Sequence, residues 1–341
     1  MKKCNYKLPF QVLIEKITLT PLIFFFSSLF SCNDDFDSYQ SPFCDPFLYS
    51  KTVKELNNVV LENNFPPMIA ARNYAYANIA AYECMVAGDP SLKTLAGRIQ
   101  HMPVMPKVKA GLIIDYPLAS LLAFVKVGNA VTFPEGSMMK YYDQLLDAAD
   151  SLDVPRSIKK NTVSFSDELA AAILSWSKGD RYSATRGAPR FAVNDSAGRW
   201  VPTPPMYATG LEPHWMTIRP FALDSASQCM PGRPPVFSLK TNSIYYQALV
   251  EVKETVDSLT EEQKHIADFW DDNPFKMNVS GHVMFATKKF SPPGHWMNIV
   301  GIAAHNANAD FKTTVTAYAL TSIALFDGFI SCWDEKYRSR T

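Results

Sequence analysis

The segment from Pro67 to Val86 constrains the fold more than any other part of the chain. Arg72 and Glu83 are its only charged residues among Ala, Tyr, Ile and Met, and Gly88 follows as a natural helix stop. A helix with so few charges must be buried on nearly all sides, so we expect other helices to surround it. Arg72 and Glu83 lie on one stripe about 16 Å apart. Each therefore needs a partner from another helix, in a structural role or near a site.

Helical patterns elsewhere indicate that this buried helix belongs to an all-α bundle. They cover Val53–Asn63, Tyr116–Asn129, Glu135–Ser151, Ser164–Lys178, Ser243–Ser258, Thr260–Trp270 and Phe311–Tyr337. Thr260 followed by Gln263 is typical of a capping box. The segment Trp200–Phe237 is too rich in proline for a long helix, and its aromatic residues predict a covering loop packed on the bundle.

The N-terminus is typical of a bacterial lipoprotein signal peptide. Four lysines precede the apolar run Ile17–Phe30, which is too short to span a bilayer as a stable helix. Leu29-Phe30-Ser31-Cys32 then matches the lipobox pattern. We expect residues 1–31 to be removed, Cys32 to carry lipid, residues 32–52 to form a tether and residues 53–341 to fold. The predicted location is the cell envelope, with attachment to the outer membrane; a free cysteine after an ordinary signal peptide is the alternative.

Composition and motifs exclude several classes of protein. The chain has 33 basic and 33 acidic residues. Removal of a signal peptide with four Lys and one Glu leaves the mature protein with a net charge of about −3. No nucleic-acid partner is therefore expected. Cysteine and histidine spacings form no metal site. Cys84 and Cys332 fall in apolar helical contexts and are predicted to be buried. Nucleophile-elbow, phosphate-loop and dinucleotide-binding patterns are absent from the sequence.

Four sequence blocks resemble one known superfamily. They are Pro66–Tyr76 with Tyr82-Glu83, then Pro213-His214-Trp215 with Arg219-Pro220-Phe221, then Ser291–Trp296, and finally Trp333-Asp334-Glu335-Lys336-Tyr337. In this order they resemble bacterial members of the vanadium-dependent haloperoxidase and type 2 phosphatidic acid phosphatase superfamily. The resemblance covers residues 45–341 and implies that superfamily's helical bundle.

The resemblance also implies a binding site for a tetrahedral oxyanion. The family surrounds vanadate or phosphate with two arginines, a lysine, a Pro-Ser-Gly-His block and a further histidine, because a multiply charged anion needs fixed cations and donors. Only Lys336 matches this set. We therefore expect the N-terminal portion of a C-terminally truncated domain: vanadate would serve full-length relatives, and this chain alone would bind no cofactor. A solvated cation at the end of a helix is the alternative for Lys336.

Two histidines are candidates for the mouth of a pocket, although most histidines in such a chain are structural. His214 and His295 are each followed by Trp, next to proline-rich sequence. Ser280-Gly281-His282 is similar to part of the anion block, but it lies upstream of Lys336 and lacks the preceding proline, so we do not assign it there.

Two function classes remain open at this stage. One is family chemistry, either halide oxidation by vanadate and hydrogen peroxide or phosphoester hydrolysis, completed by further polypeptide. The other is a noncatalytic envelope lipoprotein that binds a ligand or polymer. The final helix carries an apolar stripe, which we expect a homodimer or a separate C-terminal fragment to cover: Ala319, Ile323, Phe326, Ile330, Trp333 and Tyr337.

Overall fold

The computed structural model describes residues 39–134, 136–204, 207–272, 276–280, 283–287 and 291–340. Within them the helices are α1 (Pro46–Glu62), α2 (Pro67–Gly88), α3 (Tyr116–Val131), α4 (Met139–Ser151), α5 (Arg156–Lys178), α6 (Tyr182–Arg186), α7 (Ile244–Asp257), α8 (Glu261–Phe269), α9 (Pro292–Asn306) and α10 (Phe311–Ser339). A short antiparallel hairpin joins β1 (Lys276–Ser280) to β2 (Val283–Thr287). The predicted all-α fold is confirmed. The predicted signal peptide and Cys32 lie outside the described residues.

Helix α2 is the centre of the bundle, as its composition predicted. Every residue from Met68 to Met85 is buried, and the helix packs against α3, α5 and α10. Some of its buried polar groups are paired, for example Tyr74, which donates to the Asn57 side chain at 2.6 Å, whereas the buried Asn73 side chain has no hydrogen-bond partner among the described residues. At its C-terminal end, a Cβ on Gly88 would lie 2.3 Å from the Tyr116 ring. Glycine is therefore required where α3 crosses this close to α2.

The tether assignment is wrong for residues 39–52. Helix α1 begins at Pro46 rather than Val53, because the Asp45 side chain accepts a hydrogen bond from the Phe47 N–H and proline suits the first helical turn. Before the helix, the Tyr39 hydroxyl donates to Asp115 at 2.6 Å, and Phe43 is buried. These residues belong to the folded domain, while residues 32–38 lie outside the described part of the chain.

Two other helices begin away from their predicted positions, and one helix was not predicted. Helix α5 begins at Arg156, directly after Pro155, and α4 begins at Met139, after the left-handed turn at Gly136. Helix α9 was not predicted, because the block Ser291–Trp296 was taken for a proline-rich loop. There the Ser291 hydroxyl accepts from the Gly294 N–H and the two prolines occupy the first turn, where they need no hydrogen bond. The predicted capping box of α8 is confirmed.

The expectation that the stripe on α10 lacks cover is wrong. Five of its six residues are buried and Tyr337 is partly buried, because α2 and the proline-rich loop already pack on this face. Helix α10 is long and apolar enough to cross a membrane by length and composition, with a mean hydropathy of 1.4 in its best window, yet its core face lies inside the protein. Cys84 is buried as predicted, whereas Cys332 is exposed on α10.

A buried carboxylate joins α10 to the proline-rich loop. Asp327 accepts hydrogen bonds from three successive backbone N–H groups, those of Phe221 at 2.7 Å, Ala222 at 2.7 Å and Leu223 at 3.1 Å. Burial raises the pKa of Asp327, and the three hydrogen bonds oppose that rise. The covering loop is thus held onto the bundle, as its aromatic content predicted.

Helices α7 and α8 contrast with the rest of the bundle, since neither contains a buried residue. They display an unusual number of exposed large apolar side chains, namely Ile244, Leu249, Val252, Val256, Ile266 and Phe269, with Trp270 immediately after α8. Such a concentration of apolar surface is typical of an interaction face.

Candidate oxyanion site

Lys336 lies in the last turns of α10 with an exposed side chain. Its Nζ atom is 4.5 Å from the centroid of the Trp333 ring, one turn earlier on the helix. The indole face orients the ammonium group by a cation–π contact and leaves its N–H donors in solvent. Lys336 is therefore a positioned cation that an anion can reach.

The covering loop fixes this end of α10 through one carbonyl group. The Leu211 carbonyl accepts from Trp333 Nε1 at 2.9 Å and from the Tyr337 hydroxyl at 2.6 Å. Burial, together with the nearby charge of Glu212, raises the pKa of Tyr337 to about 12. Tyr337 therefore stays protonated at neutral pH and acts as a hydrogen-bond donor.

The neighbouring arginines already have partners. Arg338 pairs with Asp334 and Glu335 on its own helix, and Arg186 forms a two-pronged pair with Glu212. Arg199 donates to the Ser339 carbonyl at 2.8 Å. Among the described residues, this region offers vanadate one well-placed ammonium and no set of converging cations.

The two candidate histidines are held by different partners. A ring nitrogen of His214, Nε2, lies 2.8 Å from the Pro189 carbonyl, within hydrogen-bond distance. His295 Nδ1 lies 2.7 Å from Asp272, and its ring stacks on Trp270. His214 follows Leu211 by three residues and so lies in the loop that contacts α10, whereas His295 is on α9. Ser280 ends β1; Gly281 and His282 lie outside the described residues.

Sequence reasoning missed the partner of Arg72. The Arg72 Nε atom donates to Asp180 at 2.7 Å, and both residues are buried. Asp180 follows the C-terminal end of α5 and does not lie on a helix, as the predicted partner would. Tyr76 donates to the same carboxylate at 3.0 Å and accepts from Arg219 Nη2 at 3.2 Å. The partners of Glu83 also lie outside the helices. Glu83 accepts hydrogen bonds from the Thr94 hydroxyl and the Leu95 N–H in the loop after α2, which agrees with the structural role predicted for it.

The fold and the site together define the class of this protein. It is an all-α bundle whose last helix ends in a Trp-Asp-x-Lys-Tyr sequence with an accessible lysine. A solved structure described as the first bacterial vanadium-dependent iodoperoxidase is similar to it, with a TM-score of 0.81 and 36% sequence identity over 89% of this chain and 71% of that chain. Neither the protein-family models nor the curated proteins give a match. The chain belongs to the vanadium-dependent haloperoxidase superfamily.

The donor set of the described residues does not by itself fit vanadate. A histidine to bind the metal, a serine–glycine donor pair and two free arginines are not brought together around Lys336, and no cluster of three metal-binding side chains occurs in the described residues. One ammonium at 4 Å contributes about 4 kcal/mol to binding a unit charge at an effective dielectric of about 20. This corresponds to roughly millimolar affinity before desolvation.

Proposed function

We propose that this chain is the N-terminal helical portion of a vanadate-dependent haloperoxidase, with an anion site that a further polypeptide segment completes. The observation that carries the proposal is Lys336. Its place in the Trp-Asp-x-Lys-Tyr segment resembles that of the family's lysine, and it is presented to solvent over Trp333 at the end of a helix that the core and the covering loop hold in place.

Halide oxidation is favoured over phosphoester hydrolysis by the relative. The solved structure, 36% identical to this chain, is a vanadium-dependent iodoperoxidase. Iodide is therefore the substrate to test first. In this proposal Lys336 balances part of the charge of the bound oxyanion, while Trp333 and the Leu211 carbonyl keep the lysine in place. Bound vanadate would activate hydrogen peroxide toward the halide.

The completing segment has a place to bind on the described surface. The match covers 71% of the relative, and the remaining 29% lies outside it. The exposed apolar faces of α7 and α8 need cover, and each large side chain removed from water contributes about 1.5 to 3 kcal/mol. One segment that brings the missing anion ligands and covers these faces accounts for both observations. A homodimer is the competing arrangement.

The proposal predicts how activity depends on assembly. The purified 341-residue chain, supplied with vanadate, hydrogen peroxide and iodide, is expected to oxidise no iodide above the rate of vanadate alone. Mixing it with a separately expressed polypeptide that contains the superfamily's remaining anion ligands is expected to give vanadate-dependent turnover. Triiodide absorbance measures the rate, and light scattering distinguishes a complex with the segment from a homodimer.

Two variants separate the lysine from general effects of charge. Lys336→Ala is expected to lower the assembled activity at least about tenfold, in keeping with the loss of a charged contact, whereas Lys140→Ala on α4 removes an exposed lysine outside the proposed interface and leaves activity unchanged. Turnover by the chain alone that Lys336→Ala abolishes would contradict the need for a further segment. Hydrolysis of a phosphoester by the complex in place of iodide oxidation would favour the phosphatase branch.

We also propose that Cys32 anchors the protein to the bacterial envelope, at the outer membrane, through lipid. The lipobox Leu29-Phe30-Ser31-Cys32 at the end of the apolar run supports this proposal. Cys32→Ala is expected to move most of the protein from the membrane to the soluble fraction, because stable anchoring requires the attached chains. Cys229→Ala, which removes an exposed thiol, serves as the control. Unchanged, detergent-dependent partitioning of Cys32→Ala would reject the anchor.

A further inference from the structure

A cavity of about 590 Å³ lies away from Lys336, between residues 101–106 and the C-terminal end of α5. Its lining includes the apolar side chains of Val104, Met105 and Ala172, together with Trp176 and Arg219. The cavity is open to solvent, and its combination of apolar side chains with one guanidinium group suits a small organic anion.

Arg219 is incompletely paired at this cavity. Its Nη2 atom donates to the Tyr76 hydroxyl at 3.2 Å and to the Trp176 carbonyl at 3.3 Å, and its guanidinium lies over the Trp176 ring. The Nε atom is buried without a partner, and Nη1 donates no hydrogen bond within the described residues. A Cβ on cavity-lining Gly179 would be 3.7 Å from Nη1. Nη1 is therefore the donor that remains at the cavity wall.

The charges connected to Arg219 do not balance. Tyr76 links Arg219 to Asp180, but Asp180 is already paired with buried Arg72. Tyr182 lies against both Arg72 and Arg186, and Arg186 is paired with Glu212. This connected group thus holds three guanidinium groups and two carboxylates. One positive charge is left over, and Arg219 is the member that reaches the cavity.

We propose that this cavity binds a monocarboxylate with an apolar body. The carboxylate accepts from Arg219 Nη1 and balances the excess charge, while the apolar body lies against Trp176 and Met105. A neutral molecule of the same shape gains the apolar contact without the charged one. Inorganic phosphate gains the charged contact without the apolar one.

Benzoate is the probe for this cavity, and benzamide and inorganic phosphate are the comparisons. Isothermal titration calorimetry of the full chain is expected to show benzoate binding at least about tenfold tighter than benzamide, because hydrogen bonds between charged groups exceed neutral ones by that order. Benzoate is also expected to bind tighter than phosphate, which lacks the apolar contact. Benzoate is also expected to shift the NMR signal of the Trp176 indole N–H, which donates to the Gln100 carbonyl beside the cavity.

Three variants test the assignment. Arg219→Gln removes the charge and is expected to weaken benzoate binding at least about tenfold. Ser175→Trp fills the cavity from the exposed side of α5, keeps Arg219 and is expected to abolish binding, which provides a test if Arg219→Gln fails to fold. Arg156→Gln, at the other end of α5, is the matched control and leaves affinity unchanged. Benzoate affinity equal to that of benzamide, or insensitive to Ser175→Trp, would overturn the proposal.

Discussion

Asp180→Ala is expected to lower the free energy of unfolding by about 3 to 5 kcal/mol, which is the usual cost of removing one partner from a buried ion pair. Asp180 is buried and accepts three hydrogen bonds, from Arg72 Nε at 2.7 Å, the Tyr182 N–H at 2.8 Å and the Tyr76 hydroxyl at 3.0 Å. Without the Asp180 carboxylate, the charge of Arg72 on α2 stays inside the core with no partner to balance it. Urea unfolding followed by circular dichroism measures the change.

The matched control for this prediction is Asp167→Ala. Asp167 lies on the same α5 helix and pairs with Lys126 at the surface, so its removal is expected to change stability by about 1 kcal/mol or less. The double variant Arg72→Met with Asp180→Ala is expected to recover part of the loss, since it also removes the buried Arg72 charge that Asp180→Ala leaves without its partner. An Asp180→Ala variant as stable as Asp167→Ala would show that the buried pair contributes nothing.

Asp327→Ala is expected to destabilise the protein by about 3 kcal/mol or more, because it leaves three backbone N–H groups without an acceptor and each orphaned group costs about 1 to 3 kcal/mol. These N–H groups belong to Phe221, Ala222 and Leu223. The Phe221 ring packs on Phe326 with centroids 4.6 Å apart, so the loop and the core loosen together. Thermal unfolding and hydrogen exchange of residues 219–223 measure the effect.

Asp334→Ala is the control on the same helix. Within the described part of the chain its carboxylate pairs with Arg338 near the surface, and a change within about 1 kcal/mol is expected. Full protection of residues 219–223 in Asp327→Ala would show that aromatic packing alone holds the loop.

The sequence was most informative where a segment had an unusual composition or a distinctive motif. The near absence of charge in α2 predicted its central position, and the block around Lys336 identified the superfamily. Errors arose where proline was read as a loop signal, since Pro292 and Pro293 occupy the first turn of α9. Proline is compatible with that position, so the residue type alone did not decide between loop and helix.

Long-range pairing was beyond the sequence. Arg72 and Asp180 are 108 positions apart, and nothing near Asp180 marks it as the partner of α2. The stripe on α10 was located correctly, but its cover was not, because apolar periodicity shows which face is buried without showing which segment buries it. Arg219 was noted only as part of a family block, and its unpaired nitrogens depend on the placement of three other segments.

The Leu211 carbonyl has a consequence for how this protein can change over time. A backbone oxygen that accepts from both Trp333 and Tyr337 fixes the rotation of α10 about its own axis, and therefore the direction in which Lys336 projects. A backbone group is present whatever side chain stands at position 211. Substitutions there leave the helix orientation intact, whereas an insertion or deletion just before it displaces the carbonyl and turns the lysine away. For this stretch of the loop, length is constrained more tightly than residue identity.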